Sequence, residues 1–100
     1  MYNSNEIINI LNNNISKIKK FHVVKIALFG SFAREEQNDK SDIDIIVEFD
    51  VNQETFDNYM DLKFYLEELF MSEIDLVILN SIKPTLKSSI MRSVIYATGA

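Results

Sequence analysis

Cysteine is absent from this chain of 100 residues. Its absence excludes disulfides and thiolate metal sites, and leaves hard oxygen ligands as the available metal chemistry. Histidine is nearly as scarce: His22 is the single one, at the end of the first predicted helix, and it takes no catalytic assignment. No apolar run approaches the roughly 20 residues that a membrane span needs. The opening Met1-Tyr2-Asn3-Ser4-Asn5-Glu6 lacks the basic-then-apolar order of a signal peptide. A soluble cytoplasmic protein with no membrane partner is expected. An excess of positive charge is missing too. The formal net charge is −5, which argues against holding nucleic acid by broad phosphate neutralisation, so no direct nucleic-acid partner is expected. It does not argue against a nucleotide, because a triphosphate arrives with Mg²⁺ and an acidic pocket can bind it through that metal. No internal repeat, linker or second-domain boundary is visible. With 47% apolar residues the chain reads as one domain over 1–100, able to bury a single core.

The periodicity places the elements. Ile7, Leu11, Ile15 and Ile18 form a helical stripe from Ser4 to about Lys20. Ser4 is the expected N-cap, Lys17, Lys19 and Lys20 suit the C-terminal dipole, and Asn12-Asn13-Asn14 reads as an exposed face of a continuous helix. Val23 to Phe29 is a buried strand ending at Gly30, followed by a short helix over Phe32 to about Glu36 and a polar turn. A second strand over Asp42 to Phe49 puts Ile43, Ile45, Val47 and Phe49 on one face and Asp42, Asp44, Ile46 and Glu48 on the other. Asp50 with Gln53 is the expected capping box of a helix to about Phe70, whose stripe is Phe56, Tyr59, Leu62, Leu66 and Leu69, widened by Phe70. Its Phe and Tyr residues are expected in the core. Glu73 to Leu79 is a third strand, and Pro84 opens a last helix striped by Leu86, Ile90, Val94 and Ala97. Lys83, Lys87 and Arg92 give that helix a basic, solvated side. The order α-β-α-β-α-β-α implies an α+β, two-layer fold: a small mixed sheet with helices packed mainly on one face.

The chemistry concentrates in two segments. Leu28-Phe29-Gly30-Ser31-Phe32-Ala33-Arg34 is an apolar run that stops at a Gly-Ser pair. Ser41-Asp42-Ile43-Asp44-Ile45-Ile46-Val47 is an apolar run that opens with two aspartates. Side chains alternate along a strand, so Asp42 and Asp44 share a face and repel unless a cation such as Mg²⁺ sits between them. A Gly-Ser turn beside them can offer backbone N–H groups and a hydroxyl to phosphate oxygens. Asp75, near the start of the third strand, would join them if the strands are neighbours. Alone, Asp42 could serve as a turn residue. Asp44 and Asp75 lie inside apolar strands, where an acid without a partner costs energy.

Gly30-Ser31-Phe32-Ala33-Arg34, seven residues, Asp42-Ile43-Asp44 and the later Asp75 together resemble the minimal nucleotidyltransferase (MNT) domain of the DNA polymerase β-like superfamily. Its motif reads Gly-Ser-x-Ala-Arg-Gly, a spacer, Ser-Asp-x-Asp, then a third Asp, and the likeness runs from about Val23 to Leu79. The resemblance implies a nucleotidyltransferase-like fold that moves AMP, or another nucleoside monophosphate, from ATP to an acceptor hydroxyl. Gly30 would admit the triphosphate and Ser31 would bind the β/γ-phosphates. Arg34 would stabilise the turn or a phosphate, and Ser41 would position the aspartate strand. Asp42 and Asp44 would hold one or two Mg²⁺ ions, with Asp75 completing a second metal site and helping to deprotonate the acceptor. It further implies an antitoxin whose acceptor is a tyrosine of a HEPN-domain toxin, the chain being short for an acceptor-binding domain. The motif glycine after Arg34 is Glu35 here, which predicts an altered turn and, with Glu36, a weakened phosphate affinity. That departure keeps a second class open: a binding module that neutralises its partner by contact through a degenerate nucleotide pocket. Transfer to a small molecule such as an aminoglycoside is a further enzymatic alternative.

Overall fold

The computed structural model describes residues 2–97. Helices α1 (Ser4–Asn13) and α2 (Ile15–Lys19) lead into β1 (Val23–Phe29), the one-turn α3 (Gly30–Ala33) and β2 (Ile43–Phe49). The long α4 (Phe56–Phe70), β3 (Ile74–Ile78), a 3₁₀ turn (Leu79–Ser81), α5 (Pro84–Met91) and a two-residue β4 (Ile95–Tyr96) follow. The sheet runs β3-β2-β1-β4. The β1–β2 and β1–β4 pairs are antiparallel, whereas β2–β3 is parallel across the α4 crossover, so the sheet is mixed.

Period-2 alternation sets the two faces. Ile43, Ile45, Val47 and Phe49 of β2 are buried with Ile26, Leu28, Ile74 and Leu76 of the neighbouring strands. Onto this face pack Ile7 and Leu11 of α1, Ile18 of α2, and Leu62, Leu66 and Phe70 of α4. The register places Phe29 opposite Asp44 and Asp44 opposite Asp75, so the other face carries the acids.

Five sequence expectations are corrected. The first helix breaks at Asn14, whose amide donates to the Ile10 carbonyl at 2.8 Å while its N–H reaches Leu11. This side-chain competition with the backbone ends α1. Asn3, rather than Ser4, caps α1, in a reciprocal box with Glu6. α4 is capped five residues beyond Asp50: Asp50 to Gln53 forms a turn, and the N-cap Thr55 Oγ1 accepts from Asn58 N–H at 3.2 Å. Its Phe56 and Phe64 are 76% and 58% exposed, so those aromatics lie outside the core. α5 stops at Met91. Val94 and Ala97 leave its stripe because Ile95 and Tyr96 pair with Leu28 and Ala27 on the free edge of β1, giving a fourth strand. Leu86 is exposed and Ala97 is buried beyond the strand.

Candidate active site

The acidic end of the site is built on two adjacent parallel strands. Because Ile43 pairs with Ile74 and Asp44 with Asp75, both aspartates leave the sheet on the same face at the same level. The carboxyl of Asp44 is half-buried, and burial first, then the neighbouring Asp75 carboxyl within hydrogen-bonding reach, pushes its pKa up to about 6. Asp42 adds to the rise and Arg34 opposes it, which places all four groups in one electrostatic neighbourhood. Neighbouring carboxylates repel each other, and a cation between them relieves that repulsion. Among the described residues no three acidic or histidine side chains stand close enough to hold one ion together. Asp44 and Asp75 form the close pair; Asp42, exposed just before β2, is near enough for its charge to act on Asp44.

β1 brings the Gly-Ser turn to the same place. Phe29 faces Asp44 across the ladder, and the chain turns into α3 at Gly30, where φ is +73°. Only a residue without Cβ fits: a Cβ at Gly30 would overlap the Asp44 carboxylate, lying 2.8 Å from its Cγ. The glycine is therefore required by the aspartate as well as by the turn. Ser31 follows in the first turn of α3, partly buried. Arg34 is exposed and its Nε lies 3.3 Å from Glu36 Oε2, a weak surface pair that leaves the guanidinium near the acids. Ser41 acts locally. Its Oγ accepts from Asn38 N–H at 2.9 Å and its own N–H donates to Asn38, closing the turn that delivers β2. A cavity of about 250 Å³ lies beside Ser41, lined also by Tyr2, Phe32, Asn38, Ile43 and Ser72, and it includes none of the three aspartates.

Glu35 departs from the expectation of an altered turn. It takes the glycine conformation, φ +57°, and its carboxylate turns back to accept from the Ser4 hydroxyl. That bond holds the carboxyl below the usual carboxylate range.

Three residues that sequence reading passed over fix Asp75 from behind. β3 is an edge strand, and its outward groups are occupied by α4. Tyr59 OH donates to Leu76 O at 2.6 Å, Lys63 Nζ donates to Ile74 O at 3.1 Å, and Glu67 Oε2 accepts from Ile74 N–H at 3.3 Å. Lys63 and Glu67 also pair with each other at 3.1 Å. Their i, i+4 spacing was a readable signal for a pair, though not for its target.

With this geometry in place, comparison with known proteins is specific. The family model of the polymerase beta nucleotidyltransferases matches residues 5–98. A candidate protein adenylyltransferase of Methanocaldococcus jannaschii is 48% identical over 79 residues, covering 77% of this chain and 79% of that protein. The protein adenylyltransferase MntA of Thermococcus cleftensis is 35% identical over 78 residues, with 78% of each chain covered. Among solved structures, a minimal nucleotidyltransferase superposes with a TM-score of 0.80 at 26% identity, over 94% of this chain and 95% of the other. A toxin–antitoxin crystal structure with AMP-PNP gives 0.68 at 29% identity, over 99% and 75%. The MNT antitoxin complex with tri-AMPylated HEPN toxin from Shewanella oneidensis gives 0.59 at 27%, over 97% and 70%.

Proposed function

Since this chain belongs to the polymerase beta nucleotidyltransferase family, we propose that it transfers AMP from ATP to a tyrosine hydroxyl of a HEPN-domain toxin and thereby acts as its antitoxin. The observation that carries the reading is the juxtaposition of Gly30, at φ +73°, with the Asp44–Asp75 pair across the register of three neighbouring strands. A backbone turn able to donate to phosphate and two carboxyls able to accept a proton thus share one small surface, which supports the reading. The relatives named as protein adenylyltransferases and the complex with an AMPylated HEPN toxin support the acceptor class.

The donor set fits a hard divalent cation. All candidate ligands are carboxylate oxygens, and the Asp44 carboxyl, raised to about 6 by burial first and then by Asp75 and Asp42, stands where a cation would offset both the burial and the neighbouring charge. Asp42 and Asp44 would hold Mg²⁺, with Asp75 completing a second position. Bound Mg²⁺ supplies charge neutralisation at the triphosphate and at the departing pyrophosphate. The Gly30 backbone and the Ser31 hydroxyl donate to phosphate oxygens, fixing the β- and γ-phosphates. Asp75 takes the proton of the acceptor hydroxyl, its oxygen attacks the α-phosphorus, and the bond to the β-phosphate oxygen breaks to release pyrophosphate. Arg34 lies at the rim of this surface and offers its free N–H donors to phosphate. Ser41 holds the turn and so the start of β2.

An acidic intrusion beside the phosphate turn would favour a contact-only antitoxin. Glu35 is bonded away to Ser4, so it makes no such intrusion. Incubation of the chain and its partner with Mg²⁺ and labelled ATP is expected to label the partner, and EDTA to prevent it. A partner that stays unlabelled with every nucleotide contradicts the reading.

A further inference from the structure

The turn that closes α3 has the geometry of a glycine turn and holds a glutamate. Glu36 N–H donates to Ser31 O at 2.8 Å and Glu35 N–H donates to Phe32 O at 3.3 Å. With Glu35 at φ +57°, these crossed bonds make the closure usually completed by glycine. A side chain in that region is disfavoured relative to glycine, and here a hydrogen bond offsets it.

The offset lies at the far end of the chain. Ser4 is a buried polar residue of α1, 6% exposed, and it is not the cap of its helix, since Asn3 fills that role. Its hydroxyl donates to Glu35 Oε1 across 31 positions of sequence. Two residues on, Gln37 Nε2 donates to the Tyr2 carbonyl at 3.3 Å. The segment leaving the phosphate turn is thus tied at two points, to the first residue of α1 and to the residue before its cap. Glu36, between them, is exposed like Glu35, but its carboxylate turns to Arg34 instead.

We propose that Glu35 is a positioning residue, tethering the Gly30–Ala33 turn to α1 through Ser4 and so holding in nucleotide-binding register a turn that the motif glycine would leave freer. The tether rests on the transfer reading for its purpose, but not for its existence. It makes the order of α1 a condition for the order of the phosphate turn, two elements joined here by a single side-chain bond and its neighbour.

Hydrogen exchange over residues 30–36 of the nucleotide-free protein reads the tether, and the affinity for AMP-PNP with Mg²⁺ reads its consequence. Glu35→Gly suits the backbone but removes the bond, so faster exchange over 30–36 is expected, with AMP-PNP bound about 3- to 10-fold more weakly, the loss of one charged hydrogen bond. Ser4→Ala is expected to do the same, and the double variant no more than either single. Glu35→Gln, whose amide oxygen can still accept from Ser4, is expected to retain most of the protection and affinity. Unchanged exchange in Glu35→Gly overturns the tether. So do single effects that simply add, and faster exchange without loss of affinity overturns the positioning role. If the wild type binds no nucleotide, the transfer reading fails while the exchange pattern still decides the tether.

Discussion

Gly30 and Asp44 are coupled residues, and each explains the other. The carboxylate occupies the space where a Cβ would stand, and the positive φ of 73° is closed to most side chains. Gly30→Ala is therefore expected to destabilise the protein by about 2–3 kcal/mol, from backbone strain plus displacement of Asp44, and to abolish transfer; thermal unfolding and the labelling assay check both. Asp44 makes a different prediction. Its folded pKa of about 6 lies above the ordinary 3.8 because burial and Asp75 disfavour the charge. The native state then binds the proton more tightly than the unfolded chain, so its contribution to stability is full below about pH 4 and is lost as pH rises to about 6. Asp44→Asn is expected to flatten that slope in metal-free buffer. It should stabilise the protein at pH 7 by about 1–2 kcal/mol, discounted for partial solvent screening, while eliminating transfer. Unfolding measured against pH in EDTA is the check. At this scale the site was largely legible: the i, i+2 aspartates and the Gly-Ser pair stand in the sequence. What could not be read was that Glu35 adopts a left-handed conformation and points at Ser4, since that depends on a contact spanning 31 residues.

The elements divide into those set by local pattern and those set by partners. β1, β2 and β3 fall within a residue or so of where alternation puts them, because each alternates or is apolar throughout and is buried on at least one face. The misplacements have both local and tertiary causes. Asn14 has the choice of continuing a helix or bonding Ile10, and takes the second. Val94 and Ile95 are β-branched and follow a helix stripe in sequence, yet the open edge of β1 recruits Ile95 and Tyr96 into a strand. The edge of β3 is closed by side chains instead. Tyr59, Lys63 and Glu67 satisfy outward groups of Ile74 and Leu76, which blunts an edge that would otherwise template further pairing. Removing the hydroxyl with Tyr59→Phe is expected to cost about 1 kcal/mol, to speed amide exchange in β3, and to lower transfer by loosening Asp75. Unchanged exchange over 74–78 would show that α4 does not brace the strand.

At the scale of the molecule, one mixed sheet separates two duties. The helix-covered face supplies the core, and the opposite face presents the Asp44–Asp75 pair beside the Gly30–Ala33 turn. Among the described residues no helix is long and apolar enough to cross a membrane. The net charge of −5 is compatible with the proposed binding of ATP through a metal rather than through a basic cleft. The central claim is that this surface moves the α-phosphoryl group with its nucleoside. Parallel reactions with the HEPN-domain partner, Mg²⁺ and ATP labelled at either the α- or the γ-phosphate test it most directly. The predicted result is a partner that retains the α-label and none of the γ-label, with neither retained when Asp44→Asn replaces the wild type. Retention of the γ-label, or of no label at all by the wild-type pair, would contradict the account.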